Sequence, residues 1–287
     1  MQRPTGPTFR QTVERTELVR VAGAHDALGG VLAQQAGFDA VWSSSLEVSA
    51  ARCLPDASVL SMTEYLEAAA NMQKALSIPV IADCDTGYGN NLNVTHMVHE
   101  YEAAGITAVC MEDKLFPKLN SFAAGDQTLL STEEFCGKIR AAKNAQADDA
   151  FYVVARTEAL INGLGVEEAL TRAYAYAEAG ADAVLIHSKS KTKDEVESFL
   201  AQWDGCRPVV IVPTTYPEWH VDDIAKAGGS VVIYANQGLR ATVSSLRTTF
   251  EAIQKYGDTM HLEDSIASVK DIFVLQQLAE WQALESA

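Results

Sequence analysis

Short apolar, β-branched runs recur along the chain at 18–22, 40–43, 79–83, 108–112, 152–156, 183–187, 208–213 and 231–234. They are nearly continuous rather than alternating, which suits parallel strands covered on both faces. Between and after them lie stretches with helical periodicity, at 93–104, 132–145, 166–179, 193–203, 239–255 and 268–283. Several connections contain a glycine, as in AEAGADAV and EAAGITAV, where a left-handed cap precedes the next strand. Eight strand–helix units predict an α/β chain folded as a closed (β/α)8 TIM-type barrel, a single domain over 1–287. An open doubly wound sheet is the alternative. The segment 268–283 is strongly apolar for a terminal helix and is expected to pack on its own barrel or on a neighbouring subunit. The stretch 113–131, between the fourth strand and its helix, is longer than a usual βα connection. It reads as a mobile lid over a site, or else as an ordinary surface insertion.

Composition narrows the class. With 287 residues and 48% hydrophobic content, the chain can bury a large core. A net charge of -16 argues against nucleic acid and anionic membrane as partners. It leaves room for a small anionic ligand, because a metal and a few arginines reverse the field locally. The five cysteines form no CxxC pair, so neither a disulfide framework nor a zinc site is expected. Residues 1–11 carry no apolar run, and no stretch approaches a membrane span, so a cytoplasmic protein is expected.

In such a barrel the chemistry lies at the carboxyl ends of the strands. There the chain places Trp42-Ser43-Ser44-Ser45-Leu46, Asp83-Cys84-Asp85, Glu112-Asp113-Lys114, Arg156-Thr157-Glu158, His187-Ser188, Thr214-Thr215 and Asn236. Asp83 and Asp85, two apart on an extended strand, would face one side. With Glu112 from the next strand they would repel one another unless a cation sits between them, and hard oxygen ligands suit Mg2+ or Mn2+. Each acid alone reads equally as a cap or turn residue. Arg156 offers a fork to a carboxylate or phosphate, and His187 could donate to an anionic oxygen or carry a proton. The backbone amides of Ser44, Ser45 and Leu46 could cradle an oxyanion. No GxGxxG turn, Walker loop or GxSxG elbow is present.

The blocks Asp83-Cys84-Asp85-Thr86-Gly87-Tyr88-Gly89-Asn90 and Glu112-Asp113-Lys114-Leu115-Phe116-Pro117-Lys118 resemble the isocitrate lyase/phosphoenolpyruvate mutase superfamily, over nearly the whole chain. Lyases of that superfamily carry a cysteine in a KKCGH-type lid. Here the lid runs on through Lys118-Leu119-Asn120-Ser121 with no cysteine, and is similar to the branch of phosphoenolpyruvate mutases and phosphonopyruvate hydrolases. The resemblance implies a barrel whose final helix is swapped in a dimer or tetramer, and a Mg2+ ion, replaceable by Mn2+, at Asp83, Asp85 and Glu112. It implies phosphoenolpyruvate or phosphonopyruvate as substrate, bound by Trp42, Ser44, Ser45, Leu46, Asn120, Ser121, Arg156 and His187. Asp56 would be the acid near the migrating group, and Lys118 would act with the closed lid. Asn120 is the mutase form of the lid, where the hydrolase carries Thr. The stretches 55–62 and 212–217 look closer to the hydrolase. The family has Gly-Ser-Gly where this chain has Ser43-Ser44-Ser45, which adds a side chain at position 45.

Overall fold

A computed structural model describes residues 6–125 and 127–285. Eight parallel strands close into a barrel in sequence order: β1 (Val19–Ala24), β2 (Ala40–Ser43), β3 (Val80–Asp83), β4 (Ala108–Glu112), β5 (Tyr152–Thr157), β6 (Ala183–Ile186), β7 (Val209–Ile211) and β8 (Val231–Tyr234), with β8 paired back to β1. The closed barrel replaces the open-sheet alternative. The seventh strand is shorter than the apolar run that predicts it. Pro208 and Pro213 flank it and have no N–H for the ladder.

Side chains alternate across each strand. Val19, Val21, Ala40, Trp42, Ile81, Ala108, Cys110, Tyr152, Val154, Ala183, Leu185, Val210, Val231 and Ile233 fill the barrel. Their neighbours point outward. Val80, Val109 and Val153 join one outer layer, and Val184, Val209 and Val232 another. This period-two pattern decides what stands at the mouth. Continuing the inward parity by two residues gives Ser44, Asp83, Glu112, Arg156, His187 and Ala235, and on β7, where Val212 still faces inward, by four residues gives Thr214.

Helices α1 (Phe9–Arg15), α2 (Ala27–Gln35), α3 (Ser45–Ala51), α4 (Met62–Ala75), α5 (Asn91–Ala103), α6 (Thr132–Ala145), α7 (Gly165–Glu178), α8 (Asp194–Gln202) and α9 (Val221–Lys226) belong to the same unit. The predicted helix at 93–104 begins two residues earlier. Asn90 caps it with its side chain, and Asn93 returns the bond to the Asn90 amide. Phe9 on α1 is fully buried among the barrel residues and meets Tyr152 edge-on at 5.2 Å.

The chain divides into two compact units, 1–236 and 237–287, where the sequence reads as one domain. The second unit holds α10 (Gln237–Tyr256), α11 (Val269–Leu275) and α12 (Leu278–Glu285). The terminal helix expected over 268–283 is thus two helices. Gln277 takes φ 53, a left-handed turn that ends the first. None of the three helices has a buried residue, and Phe250, Phe273 and Trp281 are exposed. All five cysteines are free thiols. Among the described residues no helix is long and apolar enough to cross a membrane.

Gly23 on β1 admits no side chain. A Cβ there would lie 2.3 Å from the Ala235 carbonyl oxygen and 2.9 Å from Glu47 Oε1. Backbone cannot retreat from it cheaply, so Gly23→Ala is expected to lower stability by about 1–3 kcal/mol, read as a lower urea midpoint at unchanged slope.

Candidate active site

The strand parity puts acids, an arginine and a histidine around one small cavity of about 50 Å³. Trp42, Ser44, Ser45, Leu46, Asp56 and Asp83 line one side, and Arg156 and His187 the other. The loop 113–131, the stretch expected to be a lid, contributes Lys118, Asn120 and Ser121. Larger depressions of about 540 and 780 Å³ exist elsewhere, but neither is lined by Asp83, Arg156 or His187.

Asp83, the last residue of β3, accepts from the Ser45 hydroxyl at 2.9 Å and from the Ser45 amide at 3.3 Å, both on Oδ2. Asp85 does not continue the strand. Its φ of 49 turns the chain, so the expectation that Asp83 and Asp85 share a face by strand alternation is corrected. Asp85 lies 1% exposed, outside the cavity lining, with Lys118 Nζ 3.0 Å from Oδ1. Glu112 is likewise buried and outside the lining, with Arg156 Nε 3.3 Å from one oxygen and Lys114 Nζ 3.7 Å from the other. Burial drives the Asp85 carboxyl up to about 6 against the pull of Lys118. Burial likewise drives Glu112 up to about 7 against Arg156 and Lys118.

The amide cradle expected at Ser44 to Leu46 is also narrower than the sequence suggests. Ser44 caps α3, its hydroxyl accepting from the Glu47 amide, and its own N–H donates to the Ala24 carbonyl at 3.3 Å. Two of the three amides are therefore already engaged, that of Ser44 by β1 and that of Ser45 by Asp83.

This loop is pinned at its base. Leu115 N–H donates to Thr128 O and Leu130 N–H to Asp113 O, each at 2.8 Å. Inside this base Lys118 reaches the site and donates to Asp56 Oδ1 at 2.7 Å, while Asn120 Nδ2 donates to Asp56 Oδ2 at 2.7 Å. Burial would raise the Asp56 carboxyl, but Lys118 and Asn120 together hold it below its ordinary value. Burial would lower Lys118, but Asp85, Glu112, Asp56 and Asp83 push it well above the usual lysine range. Lys118 is thus a fixed cation and Asp56 a fixed anion.

A second cluster forms around Glu158. Arg156 donates to its Oε1 at 2.6 Å, Ser121 to its Oε2 at 2.5 Å, and Lys114 Nζ lies 3.0 Å away. Ser121 Oγ in turn accepts from Arg156 Nη2 and from Lys114, each at 2.9 Å. Burial opposes ionisation of Glu158, yet Arg156 and Lys114 bring it down to about 2. His187 is 3% exposed, and its ring meets Phe122 of the lid edge-on at 5.4 Å. Burial first and Arg156 second push its imidazole down to about 3. It is neutral at pH 7, so it offers an N–H or a lone pair rather than a charge.

Glu158, Phe122, Thr214 and Asn236 also belong to this region, although the sequence reading gave them no role. The inward parity of β7 is the signal that points to Thr214. Asp113 lies one layer behind, accepting from Thr157, Tyr176 and Arg172 and from the Glu158 amide at 2.9 Å, and so fixes the β5 end.

The acids Asp56, Asp83, Asp85, Glu112 and Glu158 outnumber the cations Lys114, Lys118 and Arg156 that face them. Asp85 Oδ2 and Glu112 Oε1 are buried and accept no hydrogen bond. Among the described residues no three acidic, histidine or cysteine side chains form a ready ligand shell. The donor set fits a hard divalent cation held by one or two carboxylates and otherwise by water, the usual arrangement for magnesium.

The model of one family, phosphoenolpyruvate phosphomutase, matches residues 9–254. The chain belongs to that family. The crystal structure of a phosphoenolpyruvate phosphomutase from Streptomyces platensis subsp. rosaceus is 53% identical, covers 96% of each chain and superimposes with a TM-score of 0.95. A phosphonopyruvate hydrolase from Variovorax sp. (strain Pal2) is 46% identical over 97% of both chains. The crystal structure of a phosphonopyruvate hydrolase in complex with oxalate and Mg++ is 45% identical, covers 96% of each chain and has a TM-score of 0.92.

Proposed function

We propose that the chain is a phosphoenolpyruvate mutase, which interconverts phosphoenolpyruvate and 3-phosphonopyruvate by moving the phosphoryl group between oxygen and carbon. The observation that carries this reading is Asn120, held at 2.7 Å on Asp56 inside a small cavity that the lid covers. Family membership and the 53% identity to a phosphomutase support it.

Asp83 would hold a divalent cation, with Asp85 and Glu112 behind it acting through water: Mg2+ in the first place, Mn2+ as substitute. When bound, it supplies positive charge against the negative charge that develops on the pyruvyl oxygens. Arg156, locked through Nε and Nη2 by Glu158 and Ser121, would turn its Nη1 donors to the phosphoryl oxygens, and neutral His187 and the Asn120 amide would add hydrogen bonds. A phosphoryl group in transit is loosely held, and any water in reach captures it. Lys118, Asn120 and Phe122 close the lid over that space. Asp56, an anion on the lid side, steers or transiently accepts the group.

The second reading is a phosphonopyruvate hydrolase, which the 46% identity to such an enzyme favours. There water would capture the phosphoryl group and leave pyruvate and phosphate. Phosphorus NMR of the protein with phosphonopyruvate and Mg2+ separates the two. A growing phosphoenolpyruvate resonance is expected, inorganic phosphate would support the hydrolase, and an unchanged spectrum would exclude both. Asn120→Ala is expected to lower kcat roughly 10²–10³-fold with an unchanged melting temperature. Full activity in that variant would remove the lid argument.

A cytoplasmic homo-oligomer, dimer or tetramer, fits the exposed Phe250, Phe273 and Trp281 of the second unit. Sedimentation equilibrium should find the protein associated, and a monomer would contradict this.

A further inference from the structure

Ser45 holds a side chain inside the site, and its hydroxyl stands where three charged groups meet. The residue is 1% exposed. Its Oγ lies 2.9 Å from Asp83 Oδ2, 3.3 Å from Asp56 Oδ1 and 3.4 Å from Lys118 Nζ. Lys118 can only donate, so the serine oxygen accepts a hydrogen bond from its ammonium. The hydroxyl has one proton of its own for two carboxylates, and the shorter contact assigns it to Asp83. Asp83 belongs to the barrel wall, whereas Lys118 is carried by the lid. The resulting chain, Lys118 to Ser45 to Asp83, is a side-chain hydrogen-bonded path from the lid to the strand-end acid. Asp56 lies within reach of the same hydroxyl and is already bonded to Lys118 and Asn120. A rotation of one hydroxyl would therefore move its proton between the wall and the lid-side acid.

We propose that the Ser45 hydroxyl is a positioning group that couples closure of the lid to the geometry of Asp83, so that the cation site and the lid are set together. The metal part of this inference rests on the proposed function, but the lid part does not. The test compares the full-length protein with Ser45→Ala, which removes only the oxygen, and with Ser45→Gly, which removes the side chain. Hydrogen–deuterium exchange across 113–131 is measured with and without MgCl2, and Mg2+ affinity is measured by titration calorimetry. In the unsubstituted protein Mg2+ should slow lid exchange at least several-fold. In Ser45→Ala the lid should exchange several-fold faster without metal, Mg2+ should bind about tenfold more weakly, and its addition should no longer slow the lid. Ser45→Gly should behave like Ser45→Ala. Equal melting temperatures would show that the effect is local. Unchanged lid exchange in Ser45→Ala overturns the coupling, as does unchanged Mg2+ affinity. Coupling intact in a protein that makes no phosphoenolpyruvate would instead overturn the mutase reading and leave this inference standing.

Discussion

Lys118→Ala is expected to reduce kcat by roughly 10²–10³-fold or more and to destabilise the protein as well. Lys118 is 6% exposed, and its ammonium is bonded to Asp56 at 2.7 Å and lies 3.0 Å from Asp85. Its removal leaves these buried carboxylates facing one another without their shared cation. Breaking a buried pair on one side costs about 3–5 kcal/mol, so the melting temperature should fall. The two losses have separate causes. The stability loss comes from uncompensated acids and should shrink in Asp56→Asn/Lys118→Ala, where one of those charges is also gone. The activity loss comes from the missing lid cation and should persist in the double variant. Arginine should not rescue it, because a planar fork cannot occupy the space of a compact ammonium between Ser45, Asp56 and Asp85. Steady-state rates and thermal unfolding of the three variants check both parts.

Arg156→Ala is expected to lower kcat/KM by about 10³-fold, about 4 kcal/mol of transition-state stabilisation. Arg156 ties the β5 end to the lid through Ser121 and neutralises Glu158 and Glu112 at once. Without it, Glu158 keeps only Lys114 as a charged partner among the contacts described above, and the Ser121 bridge loses one donor. Arg156→Lys keeps the charge but cannot hold Glu158 and an incoming phosphoryl group together. It should recover most of the melting temperature and little of the activity. Equal recovery of both would assign Arg156 a purely structural role.

The barrel was legible because its signal is repetitive. Each strand is a compact apolar run, and each is followed by a periodic helix, so no single residue has to be read correctly. Parity then carries Asp83, Glu112, Arg156 and His187 to the mouth. What could not be read was the point at which a strand stops. Asp85 lies two residues after Asp83, yet φ 49 takes it out of the extended backbone, and no two-residue spacing announces that. The break between α11 and α12 at Gln277 escaped for the same reason: a left-handed glutamine has no compositional mark. Glu158 carries no mark in the sequence, because its role depends on groups from three separate places, Lys114, Ser121 and Arg156. The Ser45 contacts to Asp56 and Lys118 span 11 and 73 residues of chain, and only the closed barrel with its lid brings them together.

Mutase and hydrolase differ by the fate of one phosphoryl group in a site closed by Lys118, Asn120 and Phe122. A single turnover of phosphonopyruvate with Mg2+ in 18O-enriched water measures that fate directly. Mass spectrometry should find phosphoenolpyruvate with no solvent oxygen among its three non-bridging phosphoryl oxygens as the dominant product, with little labelled phosphate. Phosphate carrying one solvent oxygen, in excess over phosphoenolpyruvate, would contradict the mutase reading.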